Sequence, residues 1–302
     1  MSNWPASLEK LRGTVGVWTF AGESTPAPQC GDVALELESL GFSAMWIPEA
    51  WGREAFTNAG LLLPATTNLV IATGIANIWA RDAVAAANAA RTLNAAYDDR
   101  FVLGLGVSHR PLVERLRGHA YASPLTAMRD YLSALDAAPM FAPEKDQPFA
   151  RVIAALGPKM LELGSTLANG VHPYLVTPEH TAIARQAVGD KFVGVEQAVV
   201  LGQSRDEFLR RAHAHLEVYT GLENYKNNWR RLGFSDEDFV RGGSDLLCDA
   251  MVVHGDEGDV LARIKEHREA GADHVCLQVL GGGREATPLD EWRRLAPVVT
   301  VR

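Results

Sequence analysis

Cysteine is scarce in this 302-residue sequence: it occurs only at Cys30, Cys248 and Cys276, with no CxxC spacing. An odd, scattered set of thiols excludes a secreted disulfide framework and points to a reducing compartment. Long apolar runs are missing too, since no stretch approaches the roughly 18 uninterrupted apolar residues of a membrane span. The Ala-rich segment 83–90 comes nearest and is too short. The first residues, M-S-N-W-P-A-S-L-E-K-L-R, carry no apolar signal-peptide core. A cytoplasmic protein that avoids membranes is expected. Basic charge is also short, with 29 Lys and Arg against 37 Asp and Glu and a net charge of -8. Nucleic acid is excluded as a partner, because binding it needs a basic face to neutralise phosphates. Flexible Gly/Ser linkers and low-complexity tracts are absent, which predicts a single domain over residues 1–302.

What is present is a packed-core composition, 47% hydrophobic, and a recurring unit of short apolar strand, polar loop and amphipathic helix. Strands are predicted at 13–20, 43–47, 68–75, 101–106, 151–155, 170–175, 192–201 and 274–280. A helix over 29–40 places Val33, Leu37 and Leu40 on one face, and Gly41 stops it in a conformation that costs glycine least. Asp82 caps an Ala-rich helix to Tyr97, and Asp256 caps one ending at Gly271. Further helices are expected near 124–137 and 158–168. Insertions follow strands four and seven, the second (204–248) mostly helical. Eight strands apolar on both faces, each followed by a helical pattern, call for a closed parallel β/α barrel of the TIM type. An open doubly wound sheet is the rival.

In such a barrel the chemistry sits where strands end at their C-terminal side. That rim is rich in tryptophan: Trp18, Trp46, Trp51 and Trp79 fall at or just past strand ends. Wide aromatic walls suit a planar ring, or they merely plug the mouth. Several motifs fail. G-L-G-V-S-H (104–109) lacks the third glycine of a dinucleotide fingerprint, and G-V-S-H-R (106–110) lacks the last glycine of a nucleophile elbow. No H-E-x-x-H occurs, and His213 and His215 fall on different faces of a helix, so no metal is expected. Three features remain. Glu49, in W-I-P-E-A-W, is a carboxylate between tryptophans that needs a partner if buried; a solvated loop acid is the plain alternative. L-G-P-K (156–159) opens a helix whose free N–H groups favour a phosphate, with Lys159 for charge, or it is an ordinary helix start. Gly74, in T-G-I-A-N (73–77), signals a bulge or a close ligand approach, or simply a strand end.

Taken in order, the segments L-G-F-S-A-M-W-I-P-E-A-W-G, A-T-G-I-A-N-I-W, D-D-R-F-V-L-G-L-G-V-S-H-R-P, A-A-L-G-P-K-M-L-E-L, A-N-G-V-H-P-Y-L-V-T-P-E-H and A-G-A-D-H-V-C-L-Q-V-L resemble the luciferase-like superfamily, and within it the coenzyme F420-dependent oxidoreductases. The resemblance implies a deazaflavin across the barrel mouth and hydride transfer to or from a small-molecule substrate. It implies a ring-contacting acid at Glu49 and a non-proline cis peptide at Gly74–Ile75. Cofactor contacts are implied at Gly74, Ile75, Ala76, Val107, Ser108 and Ala155, and a phosphate-holding set at Leu156, Gly157, Pro158, Lys159 and Thr177. A substrate pocket is implied at Trp18, Phe20, Trp51, Trp79 and Tyr174. The chain departs from the sugar-phosphate dehydrogenases of this class, with Ala50 in place of a histidine and His109 in place of a glutamate. His109 is therefore the expected proton-handling residue, because histidine titrates nearest working pH. A homodimer is expected. An enzyme using flavin mononucleotide (FMN) as a monooxygenase and a non-catalytic F420 carrier are the alternatives.

Overall fold

A computed structural model describes residues 4–121, 123–281 and 287–299. Its strands are β1 (Thr14–Trp18), β2 (Ala44–Ile47), β3 (Val70–Thr73), β4 (Ala76–Asn77), β5 (Phe101–Gly106), β6 (Ala150–Ile153), β7 (Gly170–Val171), β8 (Phe192–Leu201), β9 (Val252–Gly255) and β10 (His274–Val279). Leaving out β4 and β9, they pair in parallel in the order β1-β2-β3-β5-β6-β7-β8-β10, and β10 pairs back onto β1. The barrel is closed. Helices such as Cys30–Ser39, Ala83–Ala96, Pro158–Leu167, Pro178–Val188 and Glu257–Glu269 cover its outside. Both strand faces are therefore buried, which is why all ten residues of β8 are.

The helix starts follow the sequence. Asp82 accepts the Ala85 N–H at 2.8 Å, and Asp256 forms a reciprocal capping box with Asp259. Among the described residues no helix is long and apolar enough to cross a membrane.

Five details depart from expectation. Strand one ends at Trp18, and strand six shrinks to Gly170–Val171, because Pro173 has no N–H to extend the ladder. Strand three ends at Thr73. The chain then bulges through Gly74 and re-pairs as β4, with Ala76 opposite Leu105 and Asn77 opposite Gly106. β9 was not anticipated. Ala198 and Val199 already pair with β10, so β9 takes the other edge of β8, beyond the short β7. Finally, Trp46 is no rim residue. It fills the barrel interior, stacked on His172 at 4.2 Å and donating to His274 Nε2 at 3.1 Å.

The bulge explains two glycines. A Cβ on Gly104 would collide with the Thr73 carbonyl, and one on Gly106 with the Ile75 side chain. The alternating glycines of F-V-L-G-L-G make room for the neighbouring strand. They are not a nucleotide loop.

The segment between β8 and β9 folds through helices Arg205–Leu216, Glu223–Arg231 and Asp245–Met251. Its own core, including Phe208, Leu216, Tyr225 and Trp229, packs on Leu175, Ala198 and Val200 at the C-terminal mouth of the barrel.

Candidate active site

The strand ends converge on that mouth, and the Gly74–Ile75 peptide there is cis. Trp18, the last residue of β1, lies under it and donates its indole N–H to Gly74 O at 2.9 Å. Trp18 also meets Phe20 at 5.2 Å and Tyr174 at 5.3 Å between ring centroids. Three of the five expected pocket aromatics thus form one wall. Trp79 belongs to another cluster, donating to Val107 O at 3.0 Å and facing Tyr121 at 6.1 Å. Tyr121 in turn donates to Ser108 O at 3.2 Å. The loop after β5, with Ser108 at φ +54°, is pinned there over Trp79. Trp51 lies at the surface, 54% exposed.

Glu49 is buried, its side chain 4% exposed, and it is fully engaged by the protein. One carboxylate oxygen accepts the Ala55 N–H at 3.1 Å and pairs with Arg81; the other accepts the Asn77 N–H at 2.7 Å. Arg81 also reaches Glu54 at 2.7 Å. This is the partner that a buried carboxylate requires, and it comes from the chain itself. Since Asn77 follows the bulge directly, Glu49 fixes the path of residues 74–77.

His109 stands where β5 runs into its loop, its ring 6.1 Å from that of Tyr225. Burial lowers its pKa, so at neutral pH the imidazole is uncharged and offers a lone pair.

On the far side of the mouth two helices begin. Pro158–Leu167 and Pro178–Val188 each have proline at the first turn, and neither Gly157 nor Thr177 supplies a side-chain cap. A helix start of this kind favours an anion, and at the second one the Glu179 carboxylate already engages Thr177 and its own N–H. His180 couples the two starts, its Nε2 2.9 Å from Leu156 O. Lys159 is exposed beside them. Arg231, from the segment between β8 and β9, comes within 3.4 Å of where a Cβ on Gly157 would lie.

Several residues here escaped the sequence. Tyr219, Tyr225 and Trp229 bring aromatic rings to the mouth from a segment that read only as helical. Tyr219 donates to the Tyr174 hydroxyl at 3.2 Å, and Tyr174 donates to Gln278 at 2.7 Å. His215 Nε2 lies 3.4 Å from the same hydroxyl. Glu196, on β8, is completely buried, and burial pushes its carboxyl up to about 8. Its signal was visible: a carboxylate, beside Gln197, in the otherwise apolar run F-V-G-V-E-Q-A-V-V-L. A separate cavity of about 320 Å³, lined by charged groups including Asp249, Asp259, Arg263 and Glu266, contains none of these residues. Among the described residues no three His, Cys, Asp or Glu side chains converge as metal ligands.

The family model described as luciferase-like monooxygenase matches residues 13–274. A Mycobacterium tuberculosis protein provisionally named a coenzyme F420-dependent oxidoreductase is 31% identical over 123 residues, 41% of this chain and 34% of that protein. A 5,10-methylenetetrahydromethanopterin reductase of Methanolobus tindarius is 25% identical over 300 residues, 83% of this chain and 90% of the reductase. Among solved structures, an F420-dependent secondary alcohol dehydrogenase with an F420-acetone adduct superposes with TM-score 0.73 at 14% identity, covering 96% of this chain and all of that one. The oxygenating constituent of a Pseudomonas putida diketocamphane monooxygenase, solved with FMN, gives 0.68 at 14% identity over 96% and 97% of the two chains. At such identities the structural likeness speaks for the fold alone. With the family model covering most of its length, and with a closed barrel whose rim carries the expected bulge, this chain belongs to the luciferase-like monooxygenase family.

Proposed function

We propose that the protein is an oxidoreductase that binds the deazaflavin coenzyme F420 across the barrel mouth and transfers a hydride between it and a small organic substrate. The bulge at Gly74–Ile75, seated on Gly104 and Gly106 and backed by Trp18, is the observation that carries this reading. It brings main chain rather than side chains to the mouth, which suits one face of a flat ring. The two uncapped helix starts at Gly157 and Thr177, with Lys159 and Arg231 nearby, suit a phosphate-bearing tail. The residues present fit the group.

When bound, the cofactor supplies two-electron hydride chemistry. The chain supplies the rest. Gly74, Ile75 and Ala76 back the ring, Val107 and Ser108 border it, and Ala155 through Lys159 with Thr177 hold the tail. Glu49 acts through the main chain it fixes, as a positioning residue. Trp18, Phe20 and Tyr174 wall the substrate side and exclude water, with Trp79 holding the covering loop. His109, kept neutral by burial, accepts a proton at one ring nitrogen and donates a hydrogen bond from the other.

FMN is the second reading, favoured by the monooxygenase of the same fold solved with it. Fluorescence titration of the protein with each cofactor decides between them. F420 is expected to bind at least tenfold more tightly, a difference of about 1.4 kcal/mol; equal or reversed affinity moves the chain to the FMN branch. Exchange of hydride between bound F420 and added substrates separates an enzyme from a carrier.

A further inference from the structure

Glu196 is a completely buried carboxyl on β8 whose hydrogen bonding is incomplete. It belongs to the inward row of β8, between Gly194 and Ala198, so its own strand crowds it from neither side. Oε2 accepts the Leu175 N–H at 3.0 Å, which a positive φ of 53° at Leu175 turns toward it. Oε1 is buried with no partner. The titratable groups that face it are Tyr174 from the end of β7, Tyr225 from the covering segment and Cys276 from β10, and each is held in its neutral form first by burial. Burial raises the Glu196 carboxyl and the Leu175 N–H lowers it, and burial wins. Two of the nearby hydroxyls are committed, Tyr219 to Tyr174 and Tyr174 to Gln278.

We propose that Glu196 is the proton donor of this site, its Oε1–H aimed at the heteroatom of a carbonyl or imine substrate. A buried O–H without an acceptor is costly, and an acceptor-bearing ligand removes that cost. Resting on the oxidoreductase reading above, the step balances simply. Reduction of C=O or C=N adds a hydride to carbon, supplied by the reduced deazaflavin, and a proton to oxygen or nitrogen, supplied by Glu196. The carboxylate left behind keeps the Leu175 N–H and regains its proton from water when product leaves. His109, with its lone pair, is unsuited to that donation. Two groups with proton affinities driven apart in one site is the pattern expected of an acid and a base.

Infrared difference spectra of the wild type against Glu196→Gln, with no ligand added, test the donor directly. A protonated carboxyl band at pH 7 that is lost above pH 9 is expected; an ionised Glu196 at pH 7 overturns the proposal. Reduced F420 is then supplied with a panel of ketones, aldehydes and imines. Wild-type turnover should fall by about a hundredfold or more in Glu196→Gln, with F420 affinity within twofold of wild type. Unchanged turnover in the variant overturns the assignment, and wild-type activity on none of the panel overturns the substrate class. Failure of the wild type to bind F420 at all instead sinks the oxidoreductase reading, and the infrared result still judges the carboxyl.

Discussion

Glu49 and His109 were read from the sequence as neighbours of the cofactor, and the structure gives them different characters. Glu49 is committed to Arg81 and to the N–H groups of Ala55 and Asn77. Removing one partner of a buried, hydrogen-bonded ion pair costs about 3–5 kcal/mol, since the other charge is stranded. Glu49→Ala should therefore lower the denaturant midpoint and weaken cofactor binding together, because Asn77 and the bulge lose their anchor. An unmoved midpoint with weakened binding would return Glu49 to direct ring contact. His109 has no such commitments to its side chain. With its pKa lowered by burial, its neutral form should be the active one down to a pH below the ordinary histidine range. The acid limb of the kcat/KM profile should lie below pH 6.5 and disappear in His109→Gln, with F420 affinity nearly unchanged. A profile with the same acid limb in both proteins removes His109 from the chemistry.

At the scale of elements, what was legible followed short-range patterning. Apolar runs marked all eight barrel strands, and Asp82 and Asp256 marked helix starts, because capping is a local matter of one side chain and the N–H groups just ahead. The bulge after β3 was flagged by Gly74, whereas its cause lay elsewhere: Gly104 and Gly106 matter only once β5 lies beside Thr73 and Ile75. No single segment shows that. The segment between β8 and β9 was opaque for the same reason. Tyr225 and Trp229, one helical turn apart in a polar stretch, acquire meaning only where they land. Trp229 is wholly buried, packs on Tyr225 and Phe239, and donates to Leu175 O at 3.3 Å. Truncating a buried tryptophan costs about 3–5 kcal/mol. Much of that loss should fall on the docking of this segment, since its core is a separate cluster from the one between barrel and helices. Trp229→Ala should speed proteolysis and amide exchange within 205–251 while the strands stay protected. Equal loosening of strands and segment would show that the two unfold as one unit.

Across the whole molecule, buried titratable groups pull stability in opposite directions with pH. His172, His267 and His274 are buried, and burial lowers their pKa values to about 4, about 3 and about 3. Their bonds suit neutral rings: His267 lies between Thr181 and Gln197, and His274 takes the Trp46 N–H. As pH falls below about 6.5, the unfolded chain binds protons at these rings before the folded one does, so acid favours unfolding. Glu196 behaves oppositely. Folded, it keeps its proton to about pH 8, while an unfolded glutamate loses it near about 4.3. Its contribution to stability is complete below that pH and is lost as pH rises toward 8. Below pH 6.5 the three histidines outweigh the one glutamate; from 6.5 to 8.5 the glutamate leads, and the buried thiols of Cys248 and Cys276 join it only as pH nears 9. The thermal midpoint should therefore peak near pH 6.5 and decline on both sides. Each kcal/mol moves the midpoint of a chain this size by about 2–4 °C, and a tenfold change in proton affinity is worth about 1.4 kcal/mol, so both limbs are measurable. Glu196→Gln should abolish the decline between pH 6.5 and 8.5 and leave the acid limb in place, making the variant the more stable protein at pH 8.5. An alkaline decline that persists unchanged in the variant would mean that the folded chain does not hold a proton on Glu196, and the donor assigned to the barrel mouth would fall with it.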